Sequence, residues 1–226
     1  MFAKSGKMLS ILLSNDEIKN MINYKSKSGY TALYHCIANT DNVAECLNCI
    51  KILTEAGAEF GKFKLNNSLR YVIVRYGDKD TCVDILTLLL QHGADVNLVD
   101  RFDMTPLTCA IRYHGDKDAR RGIISVLIQH GADVNQVTRY NTPLTCAIEQ
   151  HGDKDTCRDI VSVLIQHGAD VNLVSGLGMT PLTCAIEQHG DKDTCRGIIS
   201  VLIQHGADVN LVDRYNTPLT CAIQYR

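Results

Sequence analysis

Apolar positions along this chain fall in short stripes at helical spacing, and the stripes come in pairs separated by glycine and polar residues. In the best-kept pair Leu144, Ala147 and Ile148 make the first stripe, and Cys157, Ile160, Val161 and Leu164 make the second. Steps of three and four place each set on one face of a helix, with Cys146 expected on the other side of the first. Thr142-Pro143 supplies a helix start, a hydroxyl oxygen for the N-cap followed by a proline whose missing N–H has no partner to lose. Gly152 is expected to end this short helix, and Asp153, Asp155 and Thr156 are acceptors suited to opening the second. His167-Gly168 closes that one, with an imidazole beside the last carbonyls and a glycine able to turn left-handed. The unit reads as helix, turn, helix, polar loop.

The unit recurs. Thr-Pro-Leu-Thr-Cys-Ala-Ile begins at Thr105, Thr142, Thr180 and Thr217, spaced 37, 38 and 37, and looser copies are read at Thr31 and Ser68, again 37 apart. A fixed period of this size predicts stacked units sharing one elongated core. The boundaries are a capping half-repeat at 1–23, repeats at 24–61, 62–97, 98–135, 136–172 and 173–210, and a partial repeat at 211–226. Lys7 to Leu13 is predicted as one amphipathic helix. The first repeat is loosened, with Gly57-Ala58-Glu59-Phe60 in place of Gly-Ala-Asp-Val. No Gly/Ser-rich or Pro-rich linker divides the array, so residues 1–226 are expected to form one domain. Leu219, Ala222 and Ile223 lack a second helix to cover them; either the last segment is a natural cap or the array continues past Arg226.

Two motifs in fixed phase, Thr-Pro-Leu-x-x-Ala in the first helix and Gly-Ala-Asp-Val-Asn beginning at Gly93, Gly131, Gly168 and Gly206, resemble the ankyrin repeat over nearly the whole chain. The resemblance implies an all-α solenoid of helix-turn-helix units with hairpin-like loops. It also implies a non-enzymatic scaffold that binds another protein through its concave face and loop tips, without a cofactor. Two departures stand out. The histidine usual after Thr-Pro-Leu is Thr108, Thr145, Thr183 and Thr220 here, so a hydroxyl is expected to take over the bridging between loops. The period also exceeds the family's 33 residues, with the surplus in the Gly-Asp-Lys-Asp segment between helices. By the same resemblance Asn97, Asn135, Asn172 and Asn210, each with a leucine eight residues upstream, are candidate sites for a host asparaginyl hydroxylase. The competing reading makes them loop-stabilising hydrogen bonders.

A net charge of −2 with well-mixed signs gives no field for nucleic acid or an anionic membrane, and neither is an expected partner. No apolar run approaches a membrane span, and Met8 to Leu13 is too short for a leader's hydrophobic region. Seven of the ten cysteines recur at two helix positions, Cys109, Cys146, Cys184 and Cys221 at one and Cys82, Cys157 and Cys195 at the other. That suits small buried residues with free thiols in a reducing, cytoplasmic compartment. Cys46-x-x-Cys49 has no second ligand pair nearby, and Asp-Lys-Asp lacks the glycine and glutamate of a calcium loop. His114, His151 and His189 recur with the period, as do pairs such as Cys157 with His151 and Cys195 with His189, which argues for architecture over catalysis. No catalytic residue, metal or cofactor is expected.

Positions that vary between copies are free of the shared core and therefore report on the exposed rim. They are Arg101, Phe102 and Met104; Arg139 and Tyr140; Leu177 and Met179; Arg214 and Tyr215 at the loop tips. At the ends of the first helices they are Arg75, Arg112 and Tyr113, against Glu149, Gln150, Glu187 and Gln188. Arginine and aromatic residues are the types enriched at interface hot spots, which makes this set the candidate partner-binding surface of a monomer. The competing reading is that the tips pack on each other as a ladder. Near-copy units and the Asn, Lys and Ile usage suit a bacterial or viral effector acting on host proteins, in the host cytosol. The alternatives are the targeting region of a larger enzyme or effector, and a self-associating structural array.

Overall fold

The computed structural model describes residues 5–40, 42–59, 68–78, 81–113, 115–150, 154–188, 192–214 and 216–224. Its helices are α1 (Ser5–Leu13), α2 (Asp16–Asn20), α3 (Ala32–Asn39), α4 (Val43–Glu55), α5 (Ser68–Tyr76), α6 (Cys82–Gln91), α7 (Pro106–Ile111), α8 (Lys117–Gln129), α9 (Pro143–Ile148), α10 (Lys154–Gln166), α11 (Pro181–Glu187), α12 (Lys192–Gln204) and α13 (Pro218–Gln224). No strand occurs among the described residues, and the fold is an all-α repeat solenoid. Odd-numbered helices from α3 to α13 form an inner row in which each packs on the next, and every one but α13 pairs with the longer helix that follows it. One continuous core runs from Ile22 through Leu53, Leu89, Leu127 and Leu164 to Ala207.

Local chemistry sets the helix ends. Thr142 is the N-cap of α9, its hydroxyl accepting the Thr145 N–H at 3.1 Å while the Thr145 hydroxyl accepts the Thr142 N–H at 2.9 Å. Thr105 with Thr108 and Thr180 with Thr183 close the same box. The substituted threonine thus acts within its own helix start, not between loops as expected, because a hydroxyl is too short to reach the next loop. Asp153 lies outside the described residues, but its counterpart Asp116 caps α8 by accepting the Asp118 and Ala119 N–H groups at 3.0 and 2.9 Å. At the other end His92, His130, His167 and His205 each place Nδ1 at 2.8–2.9 Å from the carbonyl four residues back. A carbonyl only accepts, so the imidazole donates. Gly168 follows with φ +89, a left-handed conformation that favours glycine.

Three expectations change. Cys146 is buried, not turned away from the core, because α9 is enclosed by α7, α11 and α10 and has no free side there. In the second unit the register is one residue off the Ser68 reading: Leu69, Val72 and Ile73 are the buried set, matching Leu107, Ala110 and Ile111 at a spacing of 38. Having no Thr-Pro start, α5 is instead tied to the first unit by its tyrosines; the Tyr71 hydroxyl donates to the Ala38 carbonyl at 3.0 Å and that of Tyr76 reaches the carbonyl of Ile37. At the N-terminus α1 is followed by a second helix, α2, which Asn15 caps through the Glu17 and Ile18 N–H groups. At the other end Leu219 and Ile223 are 70% and 60% exposed, as their lack of a covering helix predicts. No helix among the described residues is long and apolar enough to cross a membrane.

Candidate functional site

The loop tips are built in two lengths. In the longer form Asp100 and Met104 face each other, the Asp100 N–H donating to the Met104 carbonyl at 2.9 Å, and the Asp100 carboxylate accepts the N–H groups of Phe102 and Met104. Ser175 and Met179 repeat the pairing. In the shorter form Thr138 N–H donates to the Asn141 carbonyl at 2.9 Å, and Asp213 does the same with Asn216. The longer tips need a left-handed residue two places before the threonine: Gly29 (φ 82) and Gly178 (φ 86) fill it, and so does Asp103 (φ 60).

Below the tips, asparagines hold successive loops together. Asn135 donates from Nδ2 to the Gly168 carbonyl at 2.9 Å and accepts the Asp170 N–H on Oδ1 at 2.8 Å. Asn97 spans to Gly131 and Asp133, Asn172 to Gly206 and Asp208, and Asn23 of the capping segment to Gly57 and Glu59. Among the described residues Asn210 makes no such side-chain bond. The side-chain amides of the first three candidates, Asn97, Asn135 and Asn172, are thus engaged at both nitrogen and oxygen.

The tips also form a ladder, but an interrupted one. Leu177 N–H donates to the Tyr140 carbonyl at 3.1 Å and Arg214 N–H to the Gly178 carbonyl at 3.0 Å, joining the tips of units four, five and six. Among the described residues no backbone hydrogen bond joins the tips of units three and four. A cleft of about 60 Å³ opens there, lined by Phe102, Asp103, Met104, Thr108, Arg112, Thr138, Tyr140, Asn141 and Cys146. On the opposite side of the same junction α8 and α10 frame a second cavity of about 100 Å³, bordered by Arg121 and Asp159, which pair.

Four of the rim residues picked from sequence variation, Phe102, Met104, Arg112 and Tyr140, therefore meet in one cleft. Phe102 and Tyr140 are 51% and 48% exposed, and Arg112 is exposed. Phe102 lies between the guanidiniums of Arg70 and Arg101, 4.6 and 4.7 Å from its ring centre, and Arg70 is fixed by Asp100 at 2.9 Å. Arg75 sits over Tyr71 and Tyr76. Glu149 is half-buried and accepts from Asn141 Nδ2 at 2.8 Å; the Gln150 amide donates to the Cys146 carbonyl. Arg139 and Leu177 are exposed, Met179, Glu187 and Gln188 half-buried, and the Arg214 side chain packs over Gly178. Tyr113 is half-buried against Gly77 beside the Asp78 carboxylate; burial first, then Asp78, pushes its phenol up. Tyr215, Phe60, His114, His151 and His189 lie outside the described residues. Asp103, Thr138 and Asn141 belong to the cleft and were not picked from the sequence, although glycine at the equivalent of Asp103 (Gly178) marks a special backbone there.

A family model described as ankyrin repeats, in three copies, matches residues 71–175 and again 154–226. The chain is an ankyrin-repeat protein. Ankyrin repeats are generally protein–protein interaction modules and typically not catalysts. In this ankyrin array all ten cysteines are free thiols, eight of them buried, and the Cys36 side-chain hydrogen bond holds Cys46 below its ordinary value. Burial pushes Cys109 and Cys157 up to about 11 and Cys82 and Cys146 up to about 12. Cys36 donates toward the Cys46 carbonyl at 3.7 Å, and its hydrogen bond to the Cys46 side chain, reinforced by burial, raises it strongly. Among the described residues no three His, Cys, Asp or Glu side chains gather as metal ligands.

Proposed function

We propose that this ankyrin-repeat protein binds a partner protein through the rim formed by its loop tips and the ends of its inner helices, with the cleft between units three and four as the anchor. The observation that carries this reading is the cleft itself. It brings two half-exposed aromatic rings, a thioether and the exposed guanidinium of Arg112 together where the tip ladder is interrupted. Phe102, already held by the guanidiniums of Arg70 and Arg101, offers contact area there at little ordering cost on binding. The remaining rim residues, Arg75, Arg101, Arg139, Glu149, Gln150, Leu177, Met179, Glu187, Gln188, Arg214 and Tyr215, would extend the footprint along the array. Ten free thiols, mostly buried, support placing the protein in a reducing cytoplasm. Affinity capture from cell lysate tests the proposal. Proteins retained by the intact chain should be lost with a Phe102→Ala/Arg112→Ala/Tyr140→Ala variant; equal capture by both would remove this surface.

A further inference from the structure

Charge along the inner helix ends divides the rim in two. Arg112 and Glu149 are the C-caps of α7 and α9, and Glu187 holds the same position at the end of α11. Arg75 closes the same end of α5, one residue beyond the equivalent position. The sign therefore changes once, from guanidinium to carboxylate, at the junction between units three and four. The cationic side is reinforced by the exposed Arg101 at the tip of unit three; Arg139 and Arg214, at the tips of units four and six, lie outside the row of helix ends.

One group on this boundary is incomplete. Arg112 is exposed and, among the described residues, makes no ion pair or side-chain hydrogen bond. A bound segment that supplies a carboxylate to Arg112 completes it. Beyond the boundary Glu149 is held in place by Asn141, and Glu187 lies one unit further. Packed helices stand about 8–10 Å apart, so these carboxylates lie roughly 10–20 Å along the array from Arg112. An extended chain covers about 3.3 Å per residue.

We infer that the partner presents an extended segment of divided charge, with an aspartate or glutamate on Arg112 at the Phe102–Tyr140 cleft and a lysine or arginine roughly three to six residues away on Glu149 and Glu187. This rests on the rim being the binding surface. A uniformly acidic segment would meet Glu149 and Glu187, and a uniformly basic one would meet Arg75, Arg101 and Arg112. Like charges at close range are the usual means of rejecting wrong partners.

The test is selection of a displayed library of random peptides, about twelve residues long, on the immobilised full chain, at a length that spans both halves of the rim. Enriched peptides should carry one acidic and one basic residue at the stated spacing. Synthesised with a fluorophore, they should bind Arg112→Glu and Glu149→Lys/Glu187→Lys at least about tenfold more weakly, the loss expected when an ion pair becomes a repulsion. Enriched peptides without paired charges, an empty selection, or less than about a twofold change on either reversal overturns the inference. Phe102→Ala/Tyr140→Ala separates the two levels. If it abolishes binding while the charge reversals do not, the rim stands and the divided-charge partner falls; if neither matters, both fall.

Discussion

The smallest repeated device in the molecule is one side chain, the asparagine of Gly-Ala-Asp-Val-Asn. Each copy that has a following loop spends its amide on that loop's glycine carbonyl and on the N–H two residues beyond. Asn210 has the same sequence context and no such bonds, which provides an internal control. Hydrogen bonds of this kind contribute about 0.5–1.5 kcal/mol each, so Asn135→Ala, which removes two, should lower unfolding stability by about 1–3 kcal/mol. Asn210→Ala should stay within about 0.5 kcal/mol, as surface substitutions do. Urea denaturation followed by circular dichroism measures both, and equal shifts would show that the amide works within its own loop. The bridging was only half legible in the chain. Loop hydrogen bonding followed from residue type, whereas the identity of the acceptor, a carbonyl 33 or 34 residues away, depends on stacking that no local pattern displays.

At the scale of the helix most ends are legible, but α9 stops at Ile148 with Glu149 as its C-cap, short of the expected Gly152, and the register is not always legible. Thr-Pro at the start and His-Gly at the finish specify caps by their own chemistry, and the structure uses them so. In α5 the start signal is missing, and a period carried over from stronger copies put the apolar set one residue out of place. The Gly77-Asp-Lys-Asp segment, 38 residues before Gly115-Asp-Lys-Asp, carried the correct spacing. The helix α2 is hard to see in the sequence because its signal, Asn15 followed by Asp16 and Glu17, is a cap with almost no apolar stripe behind it. The threonine box allows a sharper test. Thr142→Ala removes an N-cap and should cost about 0.5–2 kcal/mol. Thr145→Val keeps the shape but leaves the Thr142 N–H without its buried acceptor, for a cost of about 1–3 kcal/mol. Because the two hydroxyls serve one box, the double variant should fall short of the sum by at least about 0.5 kcal/mol. Additive costs would mean that each threonine acts alone.

For the molecule as a whole, sequence variation showed which positions were free of the core, but not that four of them converge. Convergence depends on the junction between units three and four, where a short loop follows a long one and the tip ladder stops. Outer helices α8 and α10 also flank a cavity at this level, so the junction is thinned on both sides. In a stacked array stability is a sum of unit terms and neighbour terms, and a weak neighbour term is where cooperativity yields first. Leu164 is wholly buried in α10, on the C-terminal side of this seam. Leu164→Ala should cost about 2–5 kcal/mol locally. If the seam uncouples the halves, amides of α9 to α12 should exchange with solvent at least about tenfold faster, while those of α3 to α6 change by less than about threefold. Leu89→Ala in α6 should give the mirror image, and native-state hydrogen exchange read by mass spectrometry resolves the two. Uniform acceleration across the array in both variants would mean that the stack opens as one body. The cleft would then be a fixed notch in a rigid rim, not the edge of a joint.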